Sequence, residues 1–253
     1  MLNFFSSAEF QTVFSALNSG FVKTLQLFFI TLIGSLPLGL IISFGSMNRM
    51  RPIGWLVRQF GVIPKGKLAK YICDFRPISF VCRVIVWLVR GTPLVLQIIA
   101  LFYVPGMLKL FKWDAGTGRM TAVCVAFVVN YACYFSEIFR GGIQGVPVGQ
   151  QEAGQVLGMT KWQIFRKVTL LQMIKRIVPP VSNEIITLVK DTSLARVISL
   201  QEVIWMGESF MKGNFGYSGL VWPLFFSAVY YLVFSGIVTL LLGKLEKKLE
   251  FFR

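Results

Sequence analysis

The chain has 253 residues, with 26 Lys plus Arg, 11 Asp plus Glu and no His, which gives a formal net charge of +15. Yet 55% of the residues are hydrophobic, only 15% are charged, and the mean hydropathy is +0.67. This composition excludes a basic, soluble nucleic-acid-binding protein. The missing histidine excludes catalysis by Ser-His-Asp or Cys-His groups. In so apolar a chain, the positive charges are expected in short loops at the edges of a bilayer.

Five apolar segments are long enough to cross a bilayer, for which a helix needs about 20 residues. They cover residues 24–46, 91–111, 120–139, 169–190 and 220–243. The first is longer than the apolar core of a secretory signal peptide, so we interpret it as a retained span. The sequence therefore predicts an all-α integral membrane protein with five transmembrane helices in a single domain, residues 1–253.

The loop charges predict an orientation. Loops on one side of the five predicted spans carry 19 of the 26 Lys and Arg residues, and loops on the other side carry 7. Because cytoplasmic loops are enriched in Lys and Arg, the N-terminus is expected outside and the C-terminus in the cytoplasm.

The longest cytoplasmic segment in this topology is a basic insert, residues 47–89. Near its start, four apolar residues fall on one helical face beside Arg51 and Arg58; they are Ile53, Leu56, Val57 and Phe60. This pattern favours a helix lying on the anionic lipid of the inner leaflet, and the alternative is a solvated basic loop. The basic stretch 51–79 has no assigned role.

Neither a cofactor site nor a catalytic centre is predicted in this chain. Residues 61–68 match the spacing G-x-x-x-x-G-K, but Leu68 stands where a phosphate loop needs a Ser or Thr hydroxyl for magnesium. The four cysteines lack C-x-x-C spacing and have no histidine near them, which argues against a metal site. The spans also lack a carboxylate pair or a nucleophile–base pair with suitable spacing.

The cytoplasmic loop 140–168 has the signals of two short helices. Pro147 suits the first position of a helix that continues to Leu157, and Gly158 is placed to end it in a left-handed conformation. Thr160, with Gln163 three residues later, forms a capping box for a second helix. Such a rigid elbow favours a docking surface, and the alternative is a structural hairpin between two spans.

Four blocks of sequence between residues 90 and 194 resemble one family. Gln151-Glu152-Ala153-Gly154, then Gly158, then Val168-Thr169-Leu170 after nine further residues, is similar to the EAA loop of ABC importer permeases. Three more blocks resemble the branch that imports polar amino acids; they are residues 90–97, 130–143 and 190–194. The blocks occur in the family's order and are distributed along most of the chain from Arg90 to Leu200.

The resemblance implies a multi-pass protein of the bacterial cell membrane, with a set of partners. Glu152, Ala153, Gly154 and Gly158 would belong to a coupling helix seated on a dimer of cytoplasmic ABC ATPase subunits, which would bind ATP and magnesium. An external solute-binding protein would deliver the substrate, and a second permease subunit, identical or related, would complete the pathway. Gly154 replaces an alanine of the family pattern and Leu171 a proline.

Polar residues within the spans suggest a substrate pathway, because polar groups in a bilayer are costly and mark pathways or internal pairs. The candidates are Gln97, Asn183, Thr187, Asp191, Thr192 and Ser193. Asn130 and Tyr134 add polar groups on the third span. The alternative is that these groups cap helices or bond between them. Glu137 and Arg140, three residues apart, are expected to form a structural pair.

The sequence thus predicts the membrane subunit of an ATP-driven importer for a polar amino acid. One alternative keeps this class and changes the cargo to an opine or another small polar solute. A second alternative, from a different class, is a small channel or secondary transporter without ATP coupling. It leaves the cytoplasmic elbow without a role.

Overall fold

The computed structural model describes residues 8–60, 66, 72–213, 216 and 219–250. Its helices, named here in chain order, are α1 (Ala8–Ser46), α2 (Pro52–Gln59), α3 (Pro77–Gly91), α4 (Leu94–Met107), α5 (Gly118–Gln144), α6 (Val148–Val156), α7 (Lys161–Ile164), α8 (Leu170–Asp191), α9 (Val203–Met211) and α10 (Trp222–Glu250). A π-helical turn, Phe165–Thr169, joins α7 to α8, and a 3₁₀ turn, Thr192–Ile198, follows α8. The predicted all-α class is confirmed.

Three helices in the described part of the chain, α1, α5 and α10, are long and apolar enough to cross a membrane by themselves. The pair α3 and α4 passes the same test together, but its two helices are bent by 103°. The described residues therefore provide three or four candidate spans. Helix α8 covers most of the predicted fourth span but carries five charged residues and two consecutive prolines, Pro179 and Pro180.

The bend between α3 and α4 lies at the start of the predicted second span, residues 91–111, of which α4 covers residues 94–107. Thr92 has an extended backbone (φ −115°, ψ 142°) because the ring of Pro93 disfavours the helical conformation in the residue before it. The side-chain amide of Gln97 donates to the carbonyl oxygens of Val89 (2.7 Å) and Thr92 (3.1 Å). These bonds satisfy acceptors that the helix break leaves free.

Helix α3 also changes the description of the basic insert, residues 47–89. The insert contains two helices. The first, α2, covers most of the residues of the predicted amphipathic face. The second, α3, buries Ser79 and Val86 against neighbouring helices. The stretch 61–68 that resembles a phosphate loop lies outside the described residues apart from Gly66, and so do the last residues, 251–253.

Helix α5 is the central element of the fold and packs along α1. The two backbones approach closely at Gly39 of α1, where an added Cβ atom would lie 2.9 Å from the carbonyl oxygen of Ala132. The core around them includes the fully buried Leu27, Phe127 and Phe135. This packing leaves one face of α5 for α3, α4 and α8, which surround the cavities described below.

Helix α1 begins at Ala8, well before the predicted start of the first span at residue 24. Its first part lies against α9 and α10, where Val13 and Leu17 join a second core cluster. The segment from Leu200 to Met211 has the apolar spacing of an interfacial helix. In the structure, however, its helical part, α9, buries Val203 and Phe210 in this cluster.

Candidate functional site

The main candidate site is a cavity of about 550 Å³ at the bend between α3 and α4, called here the polar cavity. It lies where this bend faces α5 and α8. Its lining residues are Arg90, Gly91, Thr92, Pro93, Leu94, Asn130, Tyr131, Tyr134, Glu184, Thr187 and Asp191. The lining thus combines two carboxyl groups and one guanidinium with hydroxyl and amide groups.

The two acidic residues of the polar cavity come from one face of α8. Glu184, Thr187 and Asp191 follow the spacing i, i+3, i+7, which places them in line along a helix. The Tyr131 hydroxyl on α5 donates a hydrogen bond to Asp191 Oδ2 at 2.8 Å. Asp191 is therefore held in position by a neighbouring helix.

The positive charge of the polar cavity belongs to Arg90, the penultimate residue of α3. Its guanidinium carbon lies 4.9 Å from the centre of the Tyr134 ring, a cation–π contact that connects α3 to α5. Carboxylates accept hydrogen bonds from an ammonium group, and a guanidinium donates them to a carboxylate. The cavity consequently has groups suited to both charged ends of an amino acid.

Gln97 lies behind the lining of the polar cavity and forms hydrogen bonds with it. Besides its bonds to Val89 and Thr92, its side-chain carbonyl oxygen accepts a hydrogen bond from the Asn130 amide at 3.0 Å. Gln97 itself lines a separate, largely apolar cavity of about 540 Å³. It therefore orients Asn130 and the bend rather than facing the polar cavity directly.

The second candidate site is the helical elbow formed by α6 and α7. The Met159 N–H donates to the Gly154 carbonyl at 3.0 Å and the Gly158 N–H to that of Gln155 at 2.9 Å, which is a Schellman motif. Gly158 has φ +71°, the left-handed conformation expected of it. The predicted capping box is present, with both bonds between Thr160 and Gln163 formed.

The elbow buries one of its four predicted coupling residues and exposes the others. Glu152, Ala153 and Gly158 are exposed, whereas Gly154 is buried against Ile164 of α7. Helix α6 begins at Val148, and Pro147, predicted at the first helical position, is its N-cap.

Comparison with known proteins decides the family. Residues 73–251 match the model of the binding-protein-dependent transport system inner membrane component. The chain belongs to this family. It is thus a transport subunit of the inner membrane, a permease and not an enzyme, as the four sequence blocks predict.

Individual relatives are similar over most of the chain. The glutamine transport system permease protein GlnP of Escherichia coli (strain K12) is 31% identical over 172 residues, 68% of this chain and 76% of that protein. The arginine transport system permease protein ArtQ of Bacillus subtilis (strain 168) is 31% identical over 231 residues, 91% of each chain. The octopine transport system permease protein OccM of Rhizobium radiobacter is 30% identical over 216 residues, 83% of this chain and 78% of that protein.

Solved structures agree with the fold. One of an amino acid ABC transporter with histidines has a TM-score of 0.75 and 25% identity, and covers 95% of this chain and 97% of that chain. An inward-facing MetNI methionine ABC transporter has a TM-score of 0.64 at 16% identity, with 96% and 99% coverage, and supports the fold alone.

Only part of the predicted pathway of this permease lines the polar cavity. Thr187 and Asp191 do. The other four candidates lie outside this lining. Gln97 is behind the wall of the polar cavity, and Asn183 is exposed next to Glu184. Thr192 is buried, with its hydroxyl 3.2 Å from that of Tyr231, and Ser193 is half-buried in the 3₁₀ turn. The glutamate next to Asn183 lines the cavity instead.

Among the lining residues that sequence reasoning missed are two charged ones, Arg90 and Glu184, and the hydrogen-bonding Tyr131. The signal for Glu184 was present, because it shares the i, i+3, i+7 spacing with Thr187 and Asp191. Neighbouring residues of a helix point about 100° apart, so Asn183 lies on a different face of α8 from Glu184. The predicted pair on α5 is formed: Arg140 donates to both carboxylate oxygens of Glu137, at 3.0 and 2.5 Å.

Proposed function

We propose that this permease subunit conducts a polar amino acid through the polar cavity, in an importer driven by ATP hydrolysis in partner subunits. The observation that carries the proposal is the cavity's pairing of Glu184 and Asp191 with Arg90 in about 550 Å³. A zwitterion needs acceptors for its ammonium group and donors for its carboxylate. Thr187 and Asn130 add uncharged polar groups that suit a polar side chain.

The transport system permeases for glutamine and arginine support an amino acid as the cargo. The similarity to the octopine permease favours an opine as a second candidate. The two carboxyl groups on α8 favour a cargo with a free ammonium group. We retain Thr187 and Asp191 as pathway residues, with Gln97 positioning Asn130, and assign Thr192 to the contact with α10.

We further propose five spans, with the N-terminus outside and the C-terminus in the cytoplasm. The distribution of Lys and Arg between the loops supports this orientation. Helix α8 supplies the additional span, because its charged groups can face the pathway and avoid the lipid. Its Glu184 and Asp191 lie on the polar cavity in agreement with that role.

The elbow of α6 and α7 is proposed as the coupling site, with Glu152, Ala153, Gly154 and Gly158 as its key residues. Glu152 and Ala153 are exposed for contact, Gly158 sets the turn, and Gly154 allows α6 to lie close to α7. The proposed partners are a cytoplasmic ATPase dimer that holds ATP and magnesium, a second permease subunit and an external solute-binding protein.

The cargo site can be tested by replacing Asp191 with asparagine, which keeps the shape and removes the charge. In proteoliposomes containing the whole transporter and its binding protein, we expect uptake of labelled amino acid to need about tenfold more substrate, the cost of one charge-assisted hydrogen bond. Asp114→Asn, in an exposed connection outside the cavity, is the control. Unchanged uptake in Asp191→Asn would make Asp191 a structural residue.

The coupling site can be tested separately with Glu152→Lys. We expect a loss of ATP hydrolysis stimulated by the loaded binding protein, by about tenfold or more, because a reversed charge at an interface is costly. The thermal stability of the permease should not change, since Glu152 is exposed. Glu246→Lys, an acidic residue of α10 on the same proposed side, is the control; an equal loss in both variants would reject a specific site.

A further inference from the structure

A second charged cavity, called here the arginine cavity, lies between α3 and α5 and has a volume of about 530 Å³. Its charged lining consists of Arg83, Arg90, Arg140 and Glu137, with Trp87 beside them. It shares Arg90 with the polar cavity, but the two have opposite character. The polar cavity contains two carboxyl groups and one guanidinium, whereas the arginine cavity contains three guanidinium groups and one carboxyl group.

The arginine cavity has an excess of positive charge. Glu137 is bound by Arg140 through two hydrogen bonds, so these two charges compensate each other. Within the part of the chain that the structure describes, neither Arg83 nor Arg90 forms an ion pair with a carboxylate. Arg83 and Arg90 are therefore not neutralised by direct ion pairs, although Arg90 also contacts the Tyr134 ring and lines the polar cavity.

Helix α3 places these arginines beside an exposed apolar surface. Arg83 and Arg90 are seven residues apart in α3, which puts them on one edge of the helix, and Arg76 is its N-cap. The surface next to this edge consists of large, exposed apolar side chains; they are Phe80, Val81, Ile85, Trp87 and Leu88. An exposed apolar face bordered by arginines is typical of a helix lying in the membrane interface.

The angle between α3 and α4 supports the same placement. In the five-span arrangement proposed above, α4 belongs to the second span, residues 91–111; α3 is bent by 103° from α4 and would then lie close to the plane of the bilayer. In the orientation proposed above, on which this step rests, α3 is on the cytoplasmic side, where the leaflet is anionic. Trp87, which is 73% exposed, has the amphipathic ring that is enriched at the membrane interface.

We propose that the arginine cavity binds the phosphate group of an anionic phospholipid. The guanidinium groups of Arg83 and Arg90 would donate to the phosphate oxygens, since the planar fork of arginine matches phosphate geometry. The apolar side chains of α3 would contact the acyl chains of the same lipid. A free inorganic phosphate would satisfy the arginines but not the apolar surface, and a zwitterionic cargo would bring its ammonium group against two positive charges.

The test uses the full-length chain in nanodiscs of phosphatidylcholine with and without phosphatidylglycerol. Native mass spectrometry measures the ratio of the two lipids that remain bound to the protein after its release from the nanodisc. We expect phosphatidylglycerol to be enriched in the wild type. The enrichment should fall about fivefold in Arg83→Gln and about 25-fold in Arg83→Gln/Arg90→Gln, because each arginine near an anionic surface contributes about one such factor. Arg83→Lys keeps the charge but lacks the planar fork, so its enrichment should lie between those of the wild type and Arg83→Gln.

Arg119→Gln is the matched control, because Arg119 is exposed at the other end of α5. An equal loss in this variant, or no enrichment in the wild type, would overturn the proposal. The proposal would also be overturned if inorganic phosphate, added to the chain in pure phosphatidylcholine, stabilised it as much as phosphatidylglycerol does. The site would then bind a free anion. The readout is bound lipid and not transport, so its failure would leave the transport proposal untouched.

Discussion

Two short helices of this permease have the same length and opposite surroundings. Helices α6 and α9 each contain nine residues, and each has several large apolar side chains at or near its ends. In α9, Val203 and Phe210 are completely buried. In α6 and its C-cap, Val156 and Leu157 are 87% and 78% exposed.

The N-caps of the buried helix α9 and the exposed helix α6 also differ. Helix α9 is capped by Glu202, a fully buried carboxyl group that accepts hydrogen bonds from the N–H groups of Ile204 (2.7 Å) and Trp205 (2.8 Å) and from the Tyr231 hydroxyl (3.2 Å). Helix α6 begins at Val148, and its N-cap, Pro147, supplies no hydrogen bond from a side chain. Thus α9 is held by contacts with α10, whereas α6 is completed by its own turn.

This difference separates a structural helix from a docking helix. The apolar side chains of α9 stabilise the fold of the subunit. Those of α6 are exposed in a segment proposed to lie in the cytoplasm, and exposed apolar patches on soluble surfaces mark interaction sites. The same residue types should therefore have different effects when they are shortened in the two helices.

The largest expected effect is that of Phe210→Ala compared with Leu157→Ala. Phe210→Ala should lower the free energy of unfolding by about 3–5 kcal/mol, because it leaves a cavity in the cluster with Val13 and Leu17. Leu157→Ala should change it by less than about 0.5 kcal/mol, as surface substitutions do. Denaturant unfolding of the purified subunit, followed by tryptophan fluorescence, measures both.

The second measurement for the same pair is assembly with the ATPase subunit. Leu157→Ala should weaken assembly although the fold is intact. A Phe210→Ala chain that remains folded at low temperature should assemble normally. If Leu157→Ala destabilised the fold as strongly as Phe210→Ala, the division between α6 and α9 would be wrong.

The elbow was predictable from sequence because its signals are local. Gly158 in a left-handed conformation and the bonds between Thr160 and Gln163 depend only on residues a few positions apart. Helix α3 was not recognised because Arg83 and Arg90 interrupt its apolar residues. A search for uncharged segments therefore assigns it to a loop.

The polar cavity was only partly predictable because it depends on contacts between distant segments. The hydrogen bond of Tyr131 to Asp191 joins residues 60 positions apart, and no local pattern indicates it. The choice between Asn183 and Glu184 depends on which face of α8 meets α5. The cap of α9 is similar, because the burial of Glu202 requires Gly20 of α1, where an added Cβ would lie 3.0 Å from the Glu202 carbonyl oxygen.

A second prediction concerns the pH dependence that this cap confers on α9. Burial raises the pKa of Glu202 from its ordinary value of 4.5 to about 7, although its hydrogen bonds and Arg196 favour the ionised form. Between these two values the folded chain keeps a proton that the unfolded chain has lost. Stability should therefore fall by up to about 1.4 kcal/mol per pH unit as the pH rises to about 7, and level off above it.

Glu202→Gln should remove this pH dependence, because the amide oxygen still accepts hydrogen bonds but does not titrate. The measurement is the free energy of unfolding as a function of pH for the wild type and the variant. Glu246→Gln, on the last helix, should keep the slope of the wild type. A wild-type slope in Glu202→Gln would show that Glu202 does not cause the pH dependence, and the buried cap would then not be protonated in the folded subunit.

The smallest expected effect tests whether α6 is as self-contained as its exposed face indicates. Gly149 and Gly154 both lie in α6, but an added Cβ meets no atom within 4 Å at Gly149 and lies 2.8 Å from Ile164 Cγ1 at Gly154. Gly149→Ala should stabilise the subunit by up to about 1 kcal/mol through helix propensity. Gly154→Ala should lose that gain and about 1 kcal/mol more, because Ile164 must move. Thermal unfolding of the two variants measures the difference; equal stabilisation by both would mean that α6 and α7 are not tightly packed, and the elbow would then be a flexible docking segment.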